Sequence, residues 1–239
     1  ATWPPHTVLV FHHPAAETGS AINSGTELLA LVAAIPPTGA EVPSATNPWL
    51  VKVGPGTFDL GTGSLDLPDY TTLEGAGQDA TIITASGYGP ALGTVIMGVN
   101  GRLSRLTVNN SGGSNNETAV LIPAGAVNVG IDHASLLASN PSNTTGNTYA
   151  VYAGSGTLFW LEDCVLIAHG AHTNYGINAE SSTSVTRLDS VQVTVYGSNP
   201  TGGWSLGFYG NGASPRISNS SFGVQDGGTV VGIYASGSG

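Results

Sequence analysis

Arg102-Leu103-Ser104-Arg105-Leu106-Thr107-Val108, Gly130-Ile131-Asp132-His133-Ala134-Ser135-Leu136, Trp160-Leu161-Glu162-Asp163-Cys164-Val165-Leu166, Arg187-Leu188-Asp189-Ser190-Val191-Gln192-Val193 and Arg216-Ile217-Ser218-Asn219-Ser220-Ser221-Phe222 are five versions of one segment. Their first apolar members, Leu103, Ile131, Leu161, Leu188 and Ile217, lie 28, 30, 27 and 29 residues apart. A period of this size is the mark of a solenoid, in which each repeat buries its apolar face only by stacking on its neighbours. A strand rises about 3.3 Å per residue, so one repeat can circle a triangular section once with three short strands and three turns. Counted from the first apolar residue, positions one, four and six are apolar, and this breaks strict alternation once. A sharp corner produces that slip, and it places Arg105, His133, Asp163, Ser190 and Asn219 at the corner, where Asn219 best suits a left-handed backbone. Leu106, Ala134, Cys164, Val191 and Ser220 then form one inward ladder, and Val108, Leu136, Leu166, Val193 and Phe222 a second. A second strand recurs in phase as Ala119-Val120-Leu121, Ala150-Val151-Tyr152, Gly176-Ile177-Asn178, Gly207-Phe208-Tyr209 and Gly232-Ile233-Tyr234. The pattern predicts an all-β chain folded as a right-handed parallel β-helix, right-handed being the hand of nearly all crossovers between parallel strands.

Working outward, the amino-terminal part supplies a short capping α-helix. Ser24-Gly25-Thr26-Glu27 has the spacing of a capping box, and Leu28, Leu29, Leu31, Val32 and Ile35 continue an apolar face until Pro36-Pro37 stops it. A solenoid needs such a cover over its open apolar end. Residues 1–48 are therefore read as an amino-terminal segment with the capping helix, and 49–239 as one continuous run of coils. Leu50-Val51-Lys52-Val53 reads as the first strand, Gly54-Pro55-Gly56 as a turn, and Thr57 to Leu60 as the next strand.

Composition narrows the function. Only 8% of the 239 residues are charged, where roughly a quarter is usual, so the surface is polar through Gly, Ser, Thr and Asn. Five Lys plus Arg against fifteen Asp plus Glu leave a net charge of −10, which opposes the phosphate neutralisation that nucleic-acid binding rests on. No apolar run approaches the roughly 18 residues of a membrane span, so no membrane insertion is expected. The lone Cys164 is expected in the core, and sparse charge with Asn-rich loops points to a secreted, extracellular or cell-surface protein.

The stretch Val53-Gly54-Pro55-Gly56-Thr57-Phe58-Asp59-Leu60, followed by Leu73-Glu74-Gly75-Ala76-Gly77 and Thr81-Ile82-Ile83, resembles the opening coils of the pectin-lyase-like superfamily of right-handed parallel β-helices. The resemblance spans about residues 22–239 and implies the fold. It implies no single activity, since the superfamily holds pectate lyases, polygalacturonases, pectin esterases, phage tailspikes and surface proteins without catalysis. Asn128-Val129-Gly130-Ile131-Asp132-His133 is similar to a V-W-I-D-H segment of pectate lyases, with Gly130 where Trp is expected.

Three features are candidate sites. Asp132, Glu162 and Asp189 fall at one outward position on successive coils, about 4.8 Å apart per step, with Arg187 and Arg216 on the same face. Stacked carboxylates need a cation or neighbouring positive charge, so this ladder reads as a calcium site, as acid and base for glycan cleavage with Arg187, or as a charge ladder balanced by arginines. A second outward stripe, Leu121, Tyr152, Asn178, Tyr209 and Tyr234, flanked by Ala119, Ala150, Gly176, Gly207 and Gly232 read as small outward positions, suits stacking on sugar rings or another chain. His12-His13, with His6 upstream, forms a terminal pair that either binds metal or is a plain loop element. The leading expectation is a non-catalytic surface, adhesive or fibre-forming protein that binds carbohydrate or copies of itself. The alternative is a polysaccharide lyase or glycoside hydrolase acting on acidic glycans. The last coil is expected to contact a partner, either a removed downstream domain or the amino-terminal region of a second copy, and Thr7-Val8-Leu9-Val10-Phe11 is the β-prone segment best suited to pair there head to tail.

Overall fold

A computed structural model describes residues 6–12, 24–87, 89, 92–112, 116–140, 145–170, 172–180, 185–197, 203–225 and 228–236. They form a parallel β-helix with three sheets. Sheet I stacks β1 (His6–Val10), β2 (Trp49–Val53), β5 (Thr71–Glu74), β8 (Arg102–Ser104), β11 (Val129–Asp132), β14 (Leu158–Glu162), β17 (Val185–Asp189) and β20 (Arg216–Ser218). Sheet II stacks β3 (Gly56–Asp59), β6 (Thr81–Ala85), β9 (Thr107–Ser111), β12 (Ser135–Ser139), β15 (Val165–His169), β18 (Gln192–Tyr196) and β21 (Ser221–Gln225). Sheet III stacks β4 (Leu65–Asp66), β7 (Val95–Ile96), β10 (Glu117–Ile122), β13 (Asn147–Ala153), β16 (Thr173–Glu180), β19 (Trp204–Asn211) and β22 (Thr229–Ser236).

The register agrees with the repeat. Leu103, Ile131, Leu161, Leu188 and Ile217 are successive partners on sheet I, and Val108, Leu136, Leu166, Val193 and Phe222 on sheet II. The corner between these sheets falls on the five expected residues, Arg105, His133, Asp163, Ser190 and Asn219, with φ of 57, 48, 50, 54 and 49°. A left-handed residue other than glycine costs roughly 1–2 kcal/mol. Regular coil-to-coil hydrogen bonds offset it: the amides of Arg105, His133, Asp163 and Ser190 donate to the carbonyls of Asp132, Glu162, Asp189 and Ser218 at 3.0–3.2 Å. A second left-handed corner, Tyr70, Asn100 and Asn128, precedes sheet I, and Asn128 Nδ2 donates to Asn100 Oδ1 at 2.8 Å along the stack.

The helix α1 (Ser24–Ala33) begins at the capping-box serine and buries Leu28 and Val32. It lies against β3 so closely that a Cβ on Gly25 would fall 1.8 Å from the Asp59 carbonyl oxygen. β1, expected to pair with another copy, adds to the end of sheet I of its own chain beside β2, in register from His6 with Trp49 to Val10 with Val53, so one of its two edges is paired within the chain. Cys164 is buried and its thiol donates to the Glu162 carbonyl at 3.2 Å; burial pushes it up to about 12, so it is an inert core group.

One inward assignment differs from the reading of the sequence. Sheet III pairing skips Ala119, Ala150, Gly176, Gly207 and Gly232, and the first four of these are not outward positions. Ala119 and Ala150 are fully buried in the core. A Cβ on Gly176 would sit 2.2 Å from Val193 Cγ1, and one on Gly207 3.0 Å from a ring carbon of Phe222, both inside the solenoid. Two successive residues thus point inward, as in a bulge. Small side chains stand there because the opposite wall of the core is already in contact.

Candidate functional site

The bulge sets the chemistry of sheet III. By resetting alternation it turns both Tyr149 and Tyr152 outward from the same strand, giving two parallel columns. One runs Tyr149, Tyr175, Leu206, Val231, and the other Leu121, Tyr152, Asn178, Tyr209, Tyr234. The rings touch in a continuous strip. Tyr149 stacks on Tyr175 at 4.9 Å between centroids and meets Tyr152 edge-on at 5.2 Å; Tyr175 meets Tyr209 edge-on at 5.9 Å; Tyr209 stacks on Tyr234 at 5.3 Å. Asn147 Nδ2 donates to the Tyr149 hydroxyl at 3.0 Å. The Tyr152 hydroxyl is hydrogen-bonded to Glu180; burial first, and that carboxylate second, push it up to about 12. Beside the strip runs a groove of about 410 Å³ whose lining includes Ile96, Leu121, Tyr152, Ser155 and Glu180. Its apolar floor, aromatic wall and carboxylate together suit a ring with an apolar face and hydroxyl edges. Asn178 lies 5% exposed among these residues with no hydrogen-bond partner for its Oδ1.

Of the ligand-binding residues expected from sequence, Tyr152, Asn178, Tyr209 and Tyr234 are brought into one column. Tyr149 and Tyr175 were missed. Strict alternation from Tyr152 sends Tyr149 inward, and only the shared spacing of Thr148-Tyr149-Ala150-Val151-Tyr152 and Asn174-Tyr175-Gly176-Ile177-Asn178 pointed to them.

Sheet I is a different surface. Asp132, Glu162 and Asp189 are partners on neighbouring strands, as the repeat requires, but Asp132 and Asp189 are each engaged by partners of their own. Asp132 is only 4% exposed. It faces outward and is covered by its own partners: Arg102 Nε donates to it at 2.6 Å, Ser104 Oγ at 2.9 Å, and His133 Nδ1 lies 3.1 Å from its second oxygen. Burial alone would raise this carboxyl, but the hydrogen bonds from Arg102, Ser104 and His133 hold it below its usual range. His133 Nε2 lies 3.4 Å from Asp163, so the imidazole stands between two carboxylates. Asp189 accepts from Ser218 at 2.9 Å and Asn219 at 3.1 Å, with Arg187 at 3.4 Å, and these hydrogen bonds hold it low. Among the described residues no group of three or more His, Cys, Asp or Glu converges to hold a metal ion. The three carboxylates of the expected calcium ladder therefore do not share one point, and the arginines balance two of them.

Two grooves flank this row. One, about 790 Å³, is lined in part by Arg102, Arg105, Asp132, His133 and Asp163. Its wall is the turn from Gly75 to Ala80, whose Gln78 reaches along the solenoid to donate to the Asp163 carbonyl at 3.3 Å. The other, about 630 Å³, is lined by Val127, Leu158, Trp160, Glu162 and Arg187 among others. Trp160 lies across Gly130, where a Cβ would fall 2.3 Å from the indole. The aromatic ring expected at position 130 by the resemblance is thus supplied one coil later, with Arg102 5.7 Å from its centroid. Of the histidine group, His6 bonds Glu41 at 3.0 Å and stacks on Trp49, while His12 packs edge-on against Phe58. His13 lies outside the described residues.

No family model and no curated protein sequence matches the chain. Among solved structures it is similar to a pectin methylesterase from carrot, at 13% identity and a TM-score of 0.50, over 98% of this chain and 86% of that one. Pectin methylesterase PemA from Erwinia chrysanthemi aligns at 11% identity and a TM-score of 0.46, over 82% and 81% of the two chains. The AlgE4 A-module of the Azotobacter vinelandii mannuronan C-5 epimerase aligns at 15% and 0.42, over 89% and 73%. At such identities the likeness is one of fold: the chain has a parallel β-helix architecture like that of the carrot pectin methylesterase.

Proposed function

We propose that this chain is a secreted carbohydrate-binding β-helix without catalysis of its own, and that the tyrosine strip of sheet III holds the sugar. The observation that carries this reading is the unbroken run of ring contacts from Tyr149 and Tyr152 through Tyr175 and Tyr209 to Tyr234. Aromatic faces on a rigid sheet bind the apolar faces of sugar rings at low entropic cost, and a carboxylate at their edge accepts hydroxyls. The carrot protein of similar fold is named for an action on pectin, which supports a saccharide as the ligand class. No helix among the described residues is long and apolar enough to cross a membrane.

The test is retention on immobilised polysaccharides and calorimetry with soluble oligosaccharides. Wild-type protein is expected to bind at least one glycan, and Tyr152→Ala with Tyr209→Ala to weaken that binding more than tenfold at an almost unchanged melting temperature. Retention of full affinity by the double variant would move the site elsewhere. A second reading, a lyase or hydrolase acting on acidic glycans, is favoured by one arrangement: His133 held between Asp132 and Asp163 beside Arg102 in the 790 Å³ groove. A buried ionised carboxylate that orients a histidine is the usual support of a general base. Release of unsaturated or reducing ends from uronic-acid polymers, abolished by His133→Ala, would replace the first reading with this one.

A further inference from the structure

The chain has five basic residues in all, Lys52, Arg102, Arg105, Arg187 and Arg216. Lys52, Arg102, Arg187 and Arg216 stand on strands of sheet I, and Arg105 stands at the corner between sheets I and II. None lies on a strand of sheet III or in the turns that lead into and out of it. Lys52 lies 3.3 Å from Glu74, Arg102 is bonded to Asp132, and Arg187 lies 3.4 Å from Asp189, so the positive charge is also largely used where it stands. The charged group on the tyrosine strip itself is the Glu180 carboxylate, which bonds Tyr152 and borders the groove beside it.

From this partition we infer that the strip takes uncharged saccharides and rejects uronic-acid ones, an inference that rests on the strip being a sugar site. A neutral sugar laid on Tyr152 presents hydroxyls, which donate to Glu180. A uronate on the same rings brings a carboxylate toward Glu180 on a protein of net charge −10, with no guanidinium or ammonium on that face to receive it. The cost of one such like-charge contact near a wet surface is about a tenfold loss of affinity, and salt reduces it.

The experiment uses matched pairs that differ only in charge: galacturonan, glucuronan and mannuronan hexamers, each against its fully methyl-esterified form, together with the neutral galactan, glucan and mannan hexamers. Binding is measured by calorimetry at low and high salt, and only binding removed by Tyr152→Ala with Tyr209→Ala is scored. A neutral member is expected to bind about tenfold more tightly than its charged partner in 20 mM salt, with the gap closing at high salt and in Glu180→Gln. A charged hexamer that binds the strip as well as its ester would overturn the selectivity and leave the sugar site standing. Binding by no member, neutral or charged, at millimolar concentration would remove the sugar site itself.

Discussion

Sheets I and III are cut from the same repeat and share one apolar interior, yet their outer faces have almost nothing in common. Sheet I carries four of the five cations and a row of carboxylates, tied to one another by short polar contacts. Sheet III carries rings in contact, with the Glu180 carboxylate at their border, and no lysine or arginine on its strands. The difference teaches where a solenoid is constrained. Inward positions answer to a core packed to crystal-like density, so a leucine follows a leucine from coil to coil. Outward positions answer only to solvent and to the partner above, so each face can be given its own chemistry without disturbing the stack.

The most severe way to break the comparison is to strike what both faces share. Leu161 is fully buried at the centre of the sheet I ladder. Leu161→Asp places an unpaired charge there at a cost of several kcal/mol, a large part of the stability of most domains. Far-ultraviolet circular dichroism and thermal melts are expected to show loss of the cooperative transition, with both faces failing together. Native-like melting would mean the register is wrong.

Gly176→Val separates the faces. Its side chain would collide with Val193 Cγ1 and with the Gly207 carbonyl beneath the tyrosine strip, for a loss of about 3 kcal/mol. Urea unfolding should show that loss together with weakened sugar binding, because Tyr175 is carried by the same bulge. An unaffected stability would place position 176 outward after all.

Asp132→Asn acts on the other face. The Asp132 carboxyl is held below 3.8, its unperturbed value, so its contribution is fully present above that pH and is lost as pH falls through the lower folded-state value. The substitution is expected to cost about 1–2 kcal/mol at pH 7 and to flatten the acid side of the stability profile, while sugar binding stays as in wild type. A profile with the same slope below pH 4 would show that Asp132 does not carry it.

The smallest effect belongs to the backbone of the corner between sheets I and II. Ser190 holds φ at 54°, and Ser190→Asn, which tolerates that region, should gain about 0.5 kcal/mol. A loss of more than that in a urea melt would point to a role for the serine hydroxyl that the corner geometry does not provide.

What the amino-acid sequence determined by itself is the coil. Period, inward ladders and left-handed corners are legible because each follows from spacing within one repeat, and the five repeats vote together: Asn219 and Ser190 differ in type but not in place. The ladder Asp132, Glu162 and Asp189 was legible in register for the same reason. What only the tertiary structure decided is which way side chains near the bulge point and what they touch across coils. Alanine and glycine at 119, 150, 176, 207 and 232 fit either face of a sheet, so the parity change that brings Tyr149 and Tyr175 outward leaves no mark in local pattern. The burial of Asp132 under Arg102, the indole of Trp160 over Gly130 and the reach of Gln78 to Asp163 depend on side-chain directions from different coils. Such contacts exist only once the coils are stacked.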